Sequence, residues 1–223
     1  MNARCTASLF CLLAASVSRA DIIISQYYAG AIGADKWIEL YNAGTTDVDL
    51  AADSFQLGLW LNNNREAWKA GTAPIRTMSL SGTIPAGNTY LLSYNTSSAP
   101  SYAQPANATS TTVINFNGDD TIALYKQPTY AFANVVDAFG NTSTTTAPFA
   151  NRSFVRNAGV TTGVNTDFNA ADWTEYTLAE VDNALPGTTE RIGFHATAAA
   201  APEPATAGLL VLGLLTVRRF RRR

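Results

Sequence analysis

Short apolar stretches alternate with clusters of turn residues from about residue 22 to residue 195, the pattern of an all-β chain. In Trp37-Ile38-Glu39-Leu40-Tyr41, Ile38 and Leu40 fall on one face of a strand and Trp37, Glu39 and Tyr41 on the other. Further strands are predicted over 22–28, 48–50, 55–61, 78–80, 90–92, 113–116, 121–125, 135–139 and 153–156. Ile84-Pro85-Ala86-Gly87 forms a tight turn before Tyr90-Leu91-Leu92. Asn117-Gly118 signals a hairpin joining 113–116 to 121–125. The one helical hint is weak and lies at 169–172. Strands at this spacing suggest a sandwich rather than an alternating α/β sheet.

The two ends break the pattern. Arg4, the apolar run 7–15 and Ser18-Arg19-Ala20 form a secretory signal peptide over residues 1–20, with cleavage between Ala20 and Asp21. At the other end a small-residue linker, 196–201, leads to Pro202-Glu203-Pro204. An uncharged run, 205–217, and the cluster Arg218, Arg219, Arg221, Arg222 and Arg223 complete the chain. As a helix that run rises roughly 20 Å, short against a hydrocarbon core of about 30 Å. The flanking arginines would stay cytoplasmic and leave everything before Pro202 outside. This order resembles the PEP-CTERM sorting signal of exopolysaccharide-producing bacteria. The resemblance implies an exosortase as processing partner, transient insertion in the inner membrane, cleavage near the tripeptide, and delivery to the surface of a Gram-negative-type cell. A tail anchor that is never cut also fits the residues.

Trimming residues 1–20 and 202–223 takes the fifteen basic residues to eight and the seventeen acidic ones to sixteen, for a net charge of −8. An acidic body argues against nucleic-acid binding, which needs a basic footprint. Both cysteines, Cys5 and Cys11, lie in the signal segment, so the body between the trimmed ends has no disulfide and no thiolate metal site.

Residues 21–195 resemble a lamin-tail domain, an immunoglobulin-like β-sandwich. The resemblance rests on Trp37-Ile38-Glu39-Leu40-Tyr41-Asn42 with Val48-Asp49-Leu50, and on Gly82-Thr83-Ile84-Pro85-Ala86-Gly87 before Tyr90-Leu91-Leu92. Asn117-Gly118-Asp119-Asp120-Thr121-Ile122-Ala123-Leu124, Val135-Val136-Asp137-Ala138-Phe139-Gly140, Asp172-Trp173-Thr174 and Gly193-Phe194-His195 continue it. It covers nearly the whole body and implies an Ig-like sandwich. The stretches 62–77 and 95–112 stand out as loop insertions, where ligand contacts are most easily added.

Candidate chemistry is sparse. His195 is the lone histidine, and nucleophilic triads usually need one held by a carboxylate. Its position favours a strand-end residue packing beside the linker. Asp119 and Asp120 invite calcium, but calcium needs about six to eight oxygens and a turn favours Asp for backbone reasons alone. Asp137 fits a strand-end hydrogen-bonding role. Trp60, Trp68, Tyr94 and Tyr102 could form a platform for sugar rings, with ordinary packing the favoured alternative. No catalytic, cofactor or metal residues are therefore assigned. The expected protein is an exported, exosortase-sorted, noncatalytic surface or matrix module, associated with extracellular polysaccharide or other surface proteins. The alternative, implied by the company bacterial lamin-tail domains keep, is a secreted hydrolase or an accessory of a nuclease or phosphoesterase.

Overall fold

The structure, a computed structural model, describes residues 22–62, 65–140 and 147–196. The elements run β1 Ile22–Ala29, β2 Lys36–Asn42, β3 Val48–Asp49, β4 Phe55–Trp60, α1 Arg65–Lys69, β5 Arg76–Ser79, β6 Thr83–Ile84 and β7 Thr89–Ser93. They continue with β8 Ala108–Thr109, β9 Thr121–Lys126, β10 Val135–Phe139, β11 Arg152–Arg156, β12 Trp173–Tyr176 and α2 Leu178–Asp182. A six-stranded sheet, β12-β11-β1-β2-β7-β8, faces a four-stranded sheet, β10-β9-β4-β5. All pairings are antiparallel except β7 with β8. The expected β-sandwich is the observed fold.

The core between the sheets follows from alternation. Ile22, Ile24, Ile38, Leu40 and Leu92 meet Leu57, Leu59, Ile122, Leu124 and Phe139 across the interface. At one end aromatic rings fill the space: Tyr27 stacks on Phe139 with centroids 4.3 Å apart, and Phe149, Phe154, Phe168 and Trp173 surround Phe139. A β-bulge between Ile24 and Gln26 shifts the register of β1. It carries Tyr27 onto the core face and turns Ser25 toward Glu39.

Several sequence expectations are revised. Residues 113–116 form no strand and no hairpin with β9. Ser110 Oγ accepts from Val113 N at 3.0 Å and Ser110 O from Ile114 N at 3.1 Å. The segment turns there, and Val113, Ile114 and Phe116 plug the core from a loop. Gly118 is needed for close approach, since a Cβ would lie 2.2 Å from Ala150 N. The turn before β7 lies one residue later than expected: Ile84 ends β6, Asn88 N donates to Pro85 O, and Gly87 takes φ +70° at the third position of the turn, which requires it. Residues 170–172 form a single 3₁₀ turn. Helices α1 and α2 and strands β6, β8 and β12 were not expected. Helix α2 carries a capping box in which Thr177 and Glu180 each satisfy the other's backbone amide, and Thr-x-x-Glu is its sequence signature.

Candidate functional site

The outer face of the six-stranded sheet presents Tyr28, Trp37, Glu39 and Tyr41, and it is not open to solvent. Residues 177–195 cross it as a strap, burying Val181 and Ile192 against Tyr28 and Trp37. Tyr28 Oη donates to Asp182 at 2.7 Å, Gln26 Nε2 to Glu190 O at 2.9 Å, and Tyr102 Oη to Val181 O at 2.7 Å. Glu39, 1% exposed, is the central hook. Its carboxylate accepts from Ser25 Oγ at 2.6 Å and from Gly193 N at 2.6 Å. Burial pushes the carboxyl up to about 7, against the pull of Ser25 and the amides of Gly193 and Phe194. His195 does not end a strand. It ends the strap, its ring 4.6 Å from that of Tyr41. Burial holds its imidazole down to about 4, with the positive charge of Arg156 acting the same way, and its Nδ1 has no hydrogen-bond partner among the described residues. Glu39 on β2 and His195 at the end of the strap thus lie beneath one cover, and burial favours the neutral form of both.

Asp137 lies within β10 rather than at a strand end, and it joins the sheets. It pairs with Arg156 at 2.5 Å, both fully buried. Ile24 N donates to Asp137 at 2.7 Å, and Arg156 Nε donates to Ile24 O at 3.2 Å. The pair thereby satisfies the backbone where β1 bulges. Arg156 also lies 4.1 Å from the Trp173 ring centre. Burial raises the Asp137 carboxyl, opposed first by Arg156. This ion pair is a structural staple: both Asp137 oxygens accept from backbone amides, and Arg156 bonds through Nε and Nη2.

Asp120 accepts from Asn62 N at 2.8 Å and Asn117 N at 3.0 Å. Those are backbone duties, the turn reading of the acidic pair. Among the described residues no group of three or more His, Cys, Asp or Glu side chains could hold a metal ion. The aromatic platform does not form. Trp60 and Trp68 are buried in a cluster with Tyr125 and Tyr130 on the outer face of the four-stranded sheet. Tyr102 is held under the strap, with Arg191 3.9 Å from its ring centre. What does open to solvent is a groove of about 470 Å³ between β10 and the connection from β11 to β12. Lys126, Asn134, Val135, Val136, Thr162 and Asn165 are among the residues that line it.

The model of the Lamin Tail Domain matches residues 15–143, more than half of the chain. The chain belongs to the lamin tail domain family. No curated protein matches the sequence. Lamin tail domains are Ig-like and noncatalytic, in keeping with a sandwich whose buried charges serve its own backbone. The match stops before β11 and β12, yet β11 pairs with β1 inside the larger sheet. The sandwich here therefore extends past the matched lamin tail segment. Ala20, Asp21, Pro202, Glu203, Pro204, Arg218, Arg219, Arg221, Arg222 and Arg223 lie outside the described residues. No helix among the described residues is long and apolar enough to cross a membrane.

Sequence reasoning missed the Glu39 hook, the Arg156 partner of Asp137 and the groove. The alternation of 37–41 placed Glu39 on the face away from the core. Only the strap, some 150 residues later in the chain, buries it.

Proposed function

We propose that this protein is an exported, noncatalytic surface or matrix module, sorted by an exosortase that acts near Pro202-Glu203-Pro204. The observation that carries the reading is the C-terminal order of tripeptide, uncharged run and arginine cluster. A chain that begins with a signal-peptide pattern and has a cysteine-free body of net charge −8 supports it. The family adds a noncatalytic scaffold. The strap adds a firm exit, because the chain leaves the sandwich from a segment hooked to Glu39 and enters a short small-residue linker before Pro202. Two prolines keep that junction extended, the form a protease binds. Replacing Pro202, Glu203 and Pro204 by alanine is the test. The precursor should accumulate uncleaved in the inner membrane, and unchanged release of the variant would remove the exosortase from the account. The hydrolase alternative is checked on the purified body with phosphodiester substrates and divalent metals. The expected turnover is nil, and sustained turnover would replace this reading.

A further inference from the structure

We propose that the groove between β10 and the β11–β12 connection binds an uncharged, hydroxyl-rich ligand, a short stretch of polysaccharide. Naming a polysaccharide as its source rests on the surface-matrix reading. Three observations carry the chemistry.

The groove is built rather than incidental. Asp137 Oδ1 accepts from Val164 N at 3.0 Å, fixing the connection against β10. Gly163 lets the two backbones meet, since a Cβ there would lie 2.3 Å from Val136 O. The cavity of about 470 Å³ falls within the range of small-ligand sites, about 300–1,000 Å³.

The lining matches a sugar on both counts. Val135 and Val136 are aliphatic lining residues that can meet C–H faces. Asn134, Asn165 and Thr162 supply amide and hydroxyl groups that both donate and accept, as sugar hydroxyls do.

Charge excludes the other small ligands. Among the described residues no carboxylate lines the groove, so a cation has no counter-charge there. Among the described lining residues Lys126 is the charged one, and its ammonium is engaged by Asp53 at 3.6 Å and by the Phe55 ring at 4.6 Å. An anion would therefore find no free positive charge in the lining, within a body of net charge −8. The described lining residues also include no aromatic ring, which points to weak, multivalent capture rather than tight binding.

The test titrates the isotope-labelled mature protein, recovered from cells, with cellotetraose, maltotetraose and mannotetraose, and with the anionic tetramer of galacturonate. At least one neutral probe should shift the amides of residues 133–136 and 162–166, with a dissociation constant on the order of 1 mM. Asn165→Trp, at an exposed rim position, should weaken that binding about tenfold with the melting temperature unchanged. Three results overturn the proposal: no shift with any neutral probe, shifts confined to other residues, or tighter binding of the galacturonate tetramer. The C-terminal mass of the same sample reads the sorting separately. A trimmed tail without a sugar response sinks the groove alone, and an untrimmed tail with a sugar response sinks the sorting alone.

Discussion

The sandwich has two outer faces, and different chemistry covers them. Over the four-stranded sheet, Trp68 from α1 packs with Trp60, Tyr125 and Tyr130, and Tyr130 Oη donates to Trp68 O at 2.8 Å. Within that buried cluster the titrating side chains among the described residues are tyrosines, and burial raises Tyr125 and Tyr130 further. The cluster therefore stays neutral at any physiological pH. Over the six-stranded sheet the strap is held by Glu39, which titrates near neutral pH, and ends on His195, whose imidazole burial keeps neutral down to about 4. One cover is held by area and the other by protons and hydrogen bonds. Only the second leads directly into the tail.

The largest expected effect is on the apolar side. Trp68→Ala should lower unfolding stability by about 3–5 kcal/mol, by the same amount at pH 5 and pH 8 in urea melts. A cost that changes strongly with pH would erase the contrast between the faces.

Next come the strap residues. Glu39 has a folded pKa of about 7 against an ordinary 4.5. The native state binds its proton more tightly than the unfolded chain does, so stability falls as pH rises from 4.5 to 7. The loss is about 3 kcal/mol at about 1.4 kcal/mol per pH unit. Glu39→Gln mimics the protonated form. It should match wild type near pH 4 and exceed it by up to that amount at pH 8. A variant weaker than wild type at pH 8 would show that the carboxylate, not the acid, holds the strap.

His195 has the opposite sign. Its folded value of about 4 lies below the ordinary 6.5, so stability rises as pH climbs from 4 to 6.5. Between about 4.5 and 6.5 the two residues therefore offset each other. His195→Phe should uncover the falling Glu39 slope in that window, as a smaller change because the histidine is the less enclosed. Matching slopes for wild type and variant would detach His195 from the strap's energetics. The smallest effect is the cap: Thr177→Ala should cost about 1 kcal/mol and speed amide exchange in α2 before it affects β1 or β2.

Alternation made the inner core legible, because Ile38 and Leu40 could only face inward once a sheet was assumed. It was silent about the second face, since Trp37 and Tyr41 read the same whether water or a strap covers them. The error at 113–116 has a local cause. An apolar run before Asn-Gly looks like a hairpin arm, but Ser110 turns the chain and Asp120 takes the Asn117 amide. The Thr177-x-x-Glu180 box was readable and marks where the strap begins. The groove was not, because Val136 and Gly163 are far apart in sequence and meet only through Asp137 and the missing Cβ.

The central claim is that a lamin tail sandwich is exported and trimmed at both ends, and the intact mass of the protein released from the cell surface tests it most directly. The account expects a chain that begins at Asp21 and ends at or near Pro202-Glu203-Pro204. Released protein that still carries Arg218 to Arg223, or that begins at Met1, would contradict it.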